Sequence, residues 1–321
     1  MRLTFEQIKS VAFGAVCVEQ AEDGIHFEKL TKKQISAFAD FRASFRERAL
    51  TTTGVRLDFC TNSKHLAFST SRGRKFEVYI DDLLCRQFDC DELREAGQCA
   101  EIELVSPIRP EADTVRVTLI FPSHTVGVLE YLELDDGATV EPHRFDCRML
   151  FIGDSITQGW DSKYDSFSYA WRVTRFFNAE SIIQGIGGAY YHETTFDTLA
   201  FDPDTVIVSL GTNDFATYKT IDEMRQHVTA HLDLIAEAYK DTKVFAISPI
   251  WRADTEGRAI GSFEDVRRML IEEIEKHGLI HIDGLSLVPH AAEFMADQRL
   301  HPNDLGFSLY AENLIAQMIK K

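Results

Sequence analysis

Phe151-Ile152-Gly153-Asp154-Ser155-Ile156-Thr157-Gln158-Gly159-Trp160 is the stretch on which the reading of this chain turns. The apolar run at 149–152 stops at Gly153, and Asp154, Ser155, Thr157 and Gly159 follow. A short apolar run bounded by glycine reads as a buried strand feeding a tight turn. In an open parallel α/β sheet, ligands bind beyond the carboxyl ends of the strands. Ser155 therefore stands where a nucleophile can be presented.

The same rhythm repeats through the second half of the chain. Further apolar runs occupy 181–183, 205–210, 243–247 and 279–282. Helical patterns lie between them. Ile221, Met224, Val228, Leu232 and Ile235 share one stripe, and Val266, Leu270 and Ile274 form another. Asn303 and Asp304 can cap a last helix carrying Leu305, Leu309 and Ile315. Five strand-like runs separated by helices predict a parallel sheet with helices on both faces, over residues 146–321.

Residues 1–145 behave differently. Val55, Leu57 and Phe59 alternate with polar neighbours, as do Phe76, Val78 and Ile80, and Val115, Val117 and Leu119. Period-two alternation over many short segments predicts an antiparallel β-sandwich with one buried face per sheet. Within it, Ile35, Phe38, Phe41 and Phe45 recur at helix-like spacing, which predicts one helix or arm at 31–47. The domain boundary is expected near Glu141-Pro142-His143.

The chain has 321 residues, 45% of them hydrophobic, and a formal net charge of -17. No cluster of Lys and Arg marks a nucleic-acid surface. An acidic chain repels anionic membranes and polyphosphates, so a neutral substrate is expected. Residues 1–20 show no signal-peptide pattern, and no apolar run is long enough to cross a bilayer, so a cytoplasmic location without membrane contact is the expectation. The six cysteines form no Cys-x-x-Cys pair and are expected as free thiols. No metal and no cofactor is expected. His227 and His231 have i, i+4 spacing, but the sequence offers no carboxylate beside them, so they read as a solvated helix face.

Each apolar run of the second half ends in a polar or glycine-rich turn, and a parallel sheet gathers such turns along one edge. Ser155, Gly185, Asn213 and His301 can then meet. A serine hydroxyl needs a base within hydrogen-bond reach to act as a nucleophile. The tetrahedral intermediate carries an oxyanion, and each fixed donor to it is worth ~3 kcal/mol. The N–H groups of Ser155 and Gly185 and the Asn213 amide are the expected donors. Asp154 is expected to brace the turn through backbone N–H groups.

Gly-Asp-Ser at 153–155, Gly185 followed by Gly188, Gly-Thr-Asn-Asp at 211–214 and His301-Pro302-Asn303-Asp304 resemble the four blocks of the SGNH (GDSL-type) hydrolases, in order. The resemblance implies a flavodoxin-like three-layer domain, with Ser155 as nucleophile, His301 as base, and Ser155, Gly185 and Asn213 as the oxyanion hole. The preceding sandwich, jelly-roll-like, is similar to that of family-two carbohydrate esterases. Together these imply a metal-independent serine esterase. It would remove small acyl groups, acetyl first among them, from a small-molecule or oligosaccharide ester through a Ser155–His301 acyl-enzyme. The alternatives are a glycan-binding or weakly active module, an O-acetyltransferase, or a lysophospholipase.

Two positions depart from the family pattern. Ile183 replaces an Asn, and Gln298 stands where Asp-x-x-His would place the aspartate, with Asp297 one residue further back. Three readings follow: a bulge that lets Asp297 reach His301, a backbone carbonyl in its place, or a weakened enzyme. The favoured one is a Ser-His dyad oriented by a carbonyl. Among the aromatics that follow the strand ends, Trp160 and Trp251 are the expected substrate contacts.

Overall fold

The structure, a computed structural model, describes residues Met1–Lys321. The chain forms two compact units. One comprises Met1–Leu30 and Leu50–Phe145, the other Thr31–Ala49 and Asp146–Lys321. The expected division at 145/146 is therefore corrected in one respect: residues 31–49 leave the N-terminal unit and complete the C-terminal one.

The first unit contains two antiparallel sheets. In one, the strands run in the order Cys17–Ala21, Gly24–Glu28, Val128–Leu134, His65–Arg72 and Ala100–Glu103. In the other the order is Ala12–Phe13, Arg56–Thr61, Val115–Ile120, Lys75–Ile80 and Leu83–Asp89. Leu57, Phe59, Phe68, Phe76, Val117, Leu119 and Leu132 pack in a shared core. This is the sandwich the alternation predicts. The central strands of the second sheet depart from the rule of a single buried face: Glu77, Tyr79 and Thr118 are buried, and in Arg56–Thr61 so are Arg56 and Asp58. Asp58 accepts two hydrogen bonds from the Arg116 guanidinium at 2.8 Å, and Arg56 lies over the Phe145 ring. Burying a charge is tolerable only when it is paired in this way.

The second unit is a five-stranded, all-parallel sheet. Its strands are Cys147–Gly153, Ala179–Gly185, Thr205–Ser209, Lys243–Ile247 and Ile280–Ile282, arranged spatially as second, first, third, fourth, fifth. Helices Ile221–Ala238 and Phe263–Lys276 pack on each other, as do Tyr169–Phe176 and Asp304–Lys320. Met224, Val228, Leu232, Ile235, Val266, Leu270 and Ile274 are buried as the stripes predict. The residues named on the last helix are not its buried stripe. Leu305 is exposed, and Phe307, Tyr310, Ala311, Leu314 and Met318 face inward, with Tyr310 stacked on Tyr169. Asn303 does cap this helix, accepting from Gly306 N–H.

Residues 31–49 form two helices, Lys32–Phe41 and Ala43–Ala49. Thr31 and Gln34 make a capping box at the start of the first. Gln34 and Gln184 exchange buried amide hydrogen bonds, and Phe41 packs on Tyr190 and His192. The segment thus brings Arg48 to the glycine turn at 187–188, where it donates to the Gly187 carbonyl at 2.6 Å.

Candidate active site

Ser155 is the first residue of a one-turn helix, Ser155–Gln158, set directly on the end of the first strand of the parallel sheet. Asp154, not Ser155, caps it by accepting from Ile156 N–H at 2.9 Å. Burial raises the Asp154 carboxyl to about 7, against the pull of that N–H and of the Arg252 charge. The turn has no room at its base, since a Cβ on Gly153 would fall 2.0 Å from Thr157 Oγ1. Ser155 is left with its hydroxyl at a cavity of about 350 Å³, lined also by Trp160, Gly188, Asn213 and His301.

His301 arrives from the loop before the last helix. Its Nε2 lies 2.9 Å from Ser155 Oγ, and its Nδ1 lies 3.0 Å from Asp297 Oδ2. A carboxylate can only accept, so Nδ1 carries the proton and Nε2 is left to accept from the serine hydroxyl. Asp161 Oδ2 is a second carboxylate oxygen, 3.6 Å from Nδ1. The carbonyl-oriented dyad expected from the sequence is therefore corrected to a Ser-His-Asp chain. The reason is local backbone geometry. Gln298 adopts φ +57, a left-handed turn that absorbs the extra residue between the aspartate and the histidine. Asp297 Oδ1 then accepts from the N–H groups of Arg299, Leu300 and His301 at 2.9, 2.7 and 3.1 Å. Partial burial opposes ionisation of Asp297, but these three donors and the nearby imidazole outweigh it and hold the carboxyl below its usual value.

The expected oxyanion donors are only partly brought together. The Ser155 N–H opens a helix and so has no acceptor within it. Asn213 lines the cavity and spends one side-chain N–H on the Ala189 carbonyl at 3.0 Å, which fixes the amide and leaves the other N–H. Gly185 does not line the cavity. It is the last residue of its strand, and a Cβ there would fall 2.4 Å from Gln158 N and 2.6 Å from Gln158 Cα. Its glycine is required by the serine helix packing on the strand. Gly188, with φ +86, lines the cavity instead, while the Gly187 N–H is held by Gln158 Oε1 at 2.8 Å. Gly188 was visible in the sequence as the second glycine of its block, three residues on.

Of the two expected aromatic contacts, Trp160 is placed at the cavity, with its ring 6.4 Å from the His301 ring. Trp251 does not line it; the next residue, Arg252, does. Four arginines line the cavity, Arg48, Arg252, Arg258 and Arg299, and no Asp or Glu does. The overall negative charge, from which a neutral substrate was expected, is thus not the charge that lines this cavity. This was not legible in the sequence, because two separate loops, 248–262 and the one before the last helix, and the 43–49 helix supply the four guanidinium groups.

The histidines on the long helix also differ from expectation. His231 is buried, with its imidazole pushed down to about 4 by desolvation. His227 does meet a carboxylate, Glu193 Oε2, at 2.9 Å, and its ring stacks on His192. His192 lies in this group, outside the serine cavity.

No helix is long and apolar enough to cross a membrane. Residues 151–309 match the GDSL-like Lipase/Acylhydrolase family. The cellulase/esterase CelE of Acetivibrio thermocellus is 24% identical over 240 residues, covering 61% of this chain and 29% of that protein, so the chain spans under a third of that relative's length. Among solved structures, a salicylyl-acyltransferase from a tetracycline biosynthetic pathway superimposes with a TM-score of 0.80 at 18% identity, over 96% of this chain and 94% of that one. A family two carbohydrate esterase from Cellvibrio japonicus superimposes with a TM-score of 0.65 at 15% identity, over 100% and 97%. One from Clostridium thermocellum, in complex with cellohexaose, gives 0.59 at 18%, over 84% and 92%. These likenesses are of fold. With its serine-bearing turn inside the matched span, its flavodoxin-like sheet and its antiparallel sandwich, the chain belongs to the SGNH (GDSL-like) hydrolases, in the architecture of the family-two carbohydrate esterases.

Proposed function

We propose that the chain is a serine esterase that removes small acyl groups, acetyl above all, from hydroxyls of a carbohydrate. The observation that carries the reading is the aligned series Ser155 Oγ, His301 Nε2, His301 Nδ1 and Asp297 Oδ2, at 2.9 and 3.0 Å. In this reading Ser155 Oγ attacks the ester carbonyl while His301 Nε2 takes its proton. Asp297 stabilises the imidazolium without being protonated. The Ser155 N–H, the Gly188 N–H and the Asn213 amide meet the developing oxyanion. His301 returns the proton to the leaving alcohol, and a water activated by the same imidazole hydrolyses the acyl-enzyme.

A cavity of about 350 Å³ favours a short acyl group over a long chain. The carbohydrate part rests on the fold likeness to family two carbohydrate esterases, one of them in complex with cellohexaose, and on Trp160 at the rim. The test is acetate release from a panel of acetylated saccharides, with nitrophenyl acetate, butyrate and octanoate as chain-length controls. Ser155→Ala should lower turnover by at least ~10³-fold. Retention of wild-type turnover by that variant would end the reading. A second reading, transfer of the acyl group to another alcohol, is favoured by the fold likeness to an acyltransferase. Adding alcohols as acceptors and looking for new esters separates the two.

A further inference from the structure

The arginines at the cavity are out of keeping with a chain of net charge -17. Arg252 is buried and fully engaged. It binds Asp254 through Nε and Nη2, each at 2.8 Å, and the Thr212 carbonyl through Nη1 at 2.7 Å. The same Asp254 Oδ2 also accepts from Arg258 Nη2 at 3.1 Å and Arg299 Nη1 at 2.9 Å. Three guanidinium groups thus share Asp254, and Arg299 also meets Asp297, so three cations stand against two carboxylates beside the serine, an excess of one positive charge. Arg258 and Arg299 are 38% and 44% exposed and each keeps further N–H donors. An array with surplus cations, held in place by a buried anchor, is a preformed receptor for an oxyanion, because planar guanidinium forks match carboxylate and phosphate geometry.

Position says which part of the ester that oxyanion belongs to. Arg299 lies two residues before His301, and its Nη2 is 3.8 Å from Asp297 Oδ2. His301 is the group that hands a proton to the leaving oxygen in the esterase reading. We infer that the alcohol released by this enzyme carries a carboxylate or phosphate group, as a uronic acid or a sugar phosphate does, and that Arg258 and Arg299 bind it. The inference rests on the esterase reading and deepens it; the two fail separately in the experiment below.

Three acetyl esters of matched phenols serve as probes: 4-acetoxybenzoate, 4-acetoxyphenyl phosphate and the uncharged 4-acetoxybenzamide. At low ionic strength, kcat/KM should favour the better of the two anions over the amide by about tenfold. Which anion wins tells carboxylate from phosphate. The preference should shrink in high salt, fall by about threefold or more in Arg258→Gln and in Arg299→Gln, and be largely kept in Arg258→Lys. Equal kcat/KM for all three, with turnover still dependent on Ser155, overturns the inference and leaves the esterase reading standing. If no ester turns over, that reading fails, and calorimetry with Ser155→Ala decides the inference alone. Tighter binding of 4-hydroxybenzoate or 4-hydroxyphenyl phosphate than of 4-hydroxybenzamide supports it, and equal or absent binding rejects it.

Discussion

Replacing Asp297 by Asn changes one atom's chemistry and almost nothing of its shape. In the structure Oδ1 holds three backbone N–H groups and Oδ2 faces His301 Nδ1 at 3.0 Å. An Asn must keep its oxygen on the three N–H groups, since turning it would set N–H against N–H. Its NH₂ then faces Nδ1 and forces that nitrogen to accept. The imidazole proton moves to Nε2, which can no longer take the proton of Ser155. For an isolated histidine-carboxylate pair such a tautomer reversal costs about 10⁴-fold in kcat. Here Asp161 Oδ2 stands 3.6 Å from Nδ1 and can hold part of the population in the productive tautomer. The expected loss for Asp297→Asn is therefore about 10² to 10³-fold, or roughly 3–4 kcal/mol of transition-state stabilisation. Asp161→Asn on top of it should remove a further factor. Initial rates on nitrophenyl acetate under saturating conditions measure this, with thermal melting to show that the loop is intact. Adding Gln298→Asp, which restores the Asp-x-x-His spacing, should rescue nothing, because residue 298 is exposed in a left-handed turn and residue 297 is the one that faces the imidazole. An Asp297→Asn enzyme within tenfold of wild type would refute the carboxylate's role and return the carbonyl-oriented dyad to favour.

Two further outcomes follow from buried groups of the same unit. Asp214 is fully buried, with Oδ1 accepting from Tyr191 N–H and Oδ2 without a partner, and burial raises its pKa to about 7. The folded state therefore holds this proton where the unfolded chain has lost it, and stability contributed by the protonated form declines as pH rises from about 4 to about 7. Asp214→Asn should raise the melting free energy by more than about 1 kcal/mol at pH 8 and by little at pH 4, as measured by denaturant titration; the same gain at both pH values would show that the charge is not the cause. Gly185→Ala should destabilise by about 1–3 kcal/mol, because the methyl meets the Gln158 backbone and no flexible side chain, and a melt unchanged from wild type would contradict that packing.

The course of the sheet was open to sequence reasoning because buried parallel strands are continuous apolar runs, and all five runs became strands. The positions of Ser155 and His301 were legible for a related cause: each lies in a turn whose glycine or proline announces it. What escaped reading depended on atoms brought together from afar. The backbone around Gln298 decides whether Asp297 reaches His301, and the sequence shows only the count of residues, not the left-handed φ that absorbs the extra one. Gly185 and Gly188 are alike on paper; only the approach of the Gln158 backbone to the former shows that it is needed for packing. The last helix was legible, but not its buried face, which Tyr310 fills by stacking on Tyr169 while Leu305 stays exposed. The arginines were hidden because a net charge averages over a surface and says nothing of one hollow in it.

The excursion of residues 31–49 has a consequence for how the molecule can be made and divided. The chain passes from one unit to the other at 30/31, returns at 49/50, and crosses again at 145/146. A fragment beginning at residue 146 would lack both helices, exposing Tyr190 and the Gln184 amide and removing Arg48 from the serine's surroundings. During synthesis those helices emerge after only the first strands of the sandwich, and must wait for the rest of it, and then the parallel sheet, before they meet their partners. Gene fusions and truncations that treat the two halves as beads on a string would break the hydrolase from its own amino-terminal side.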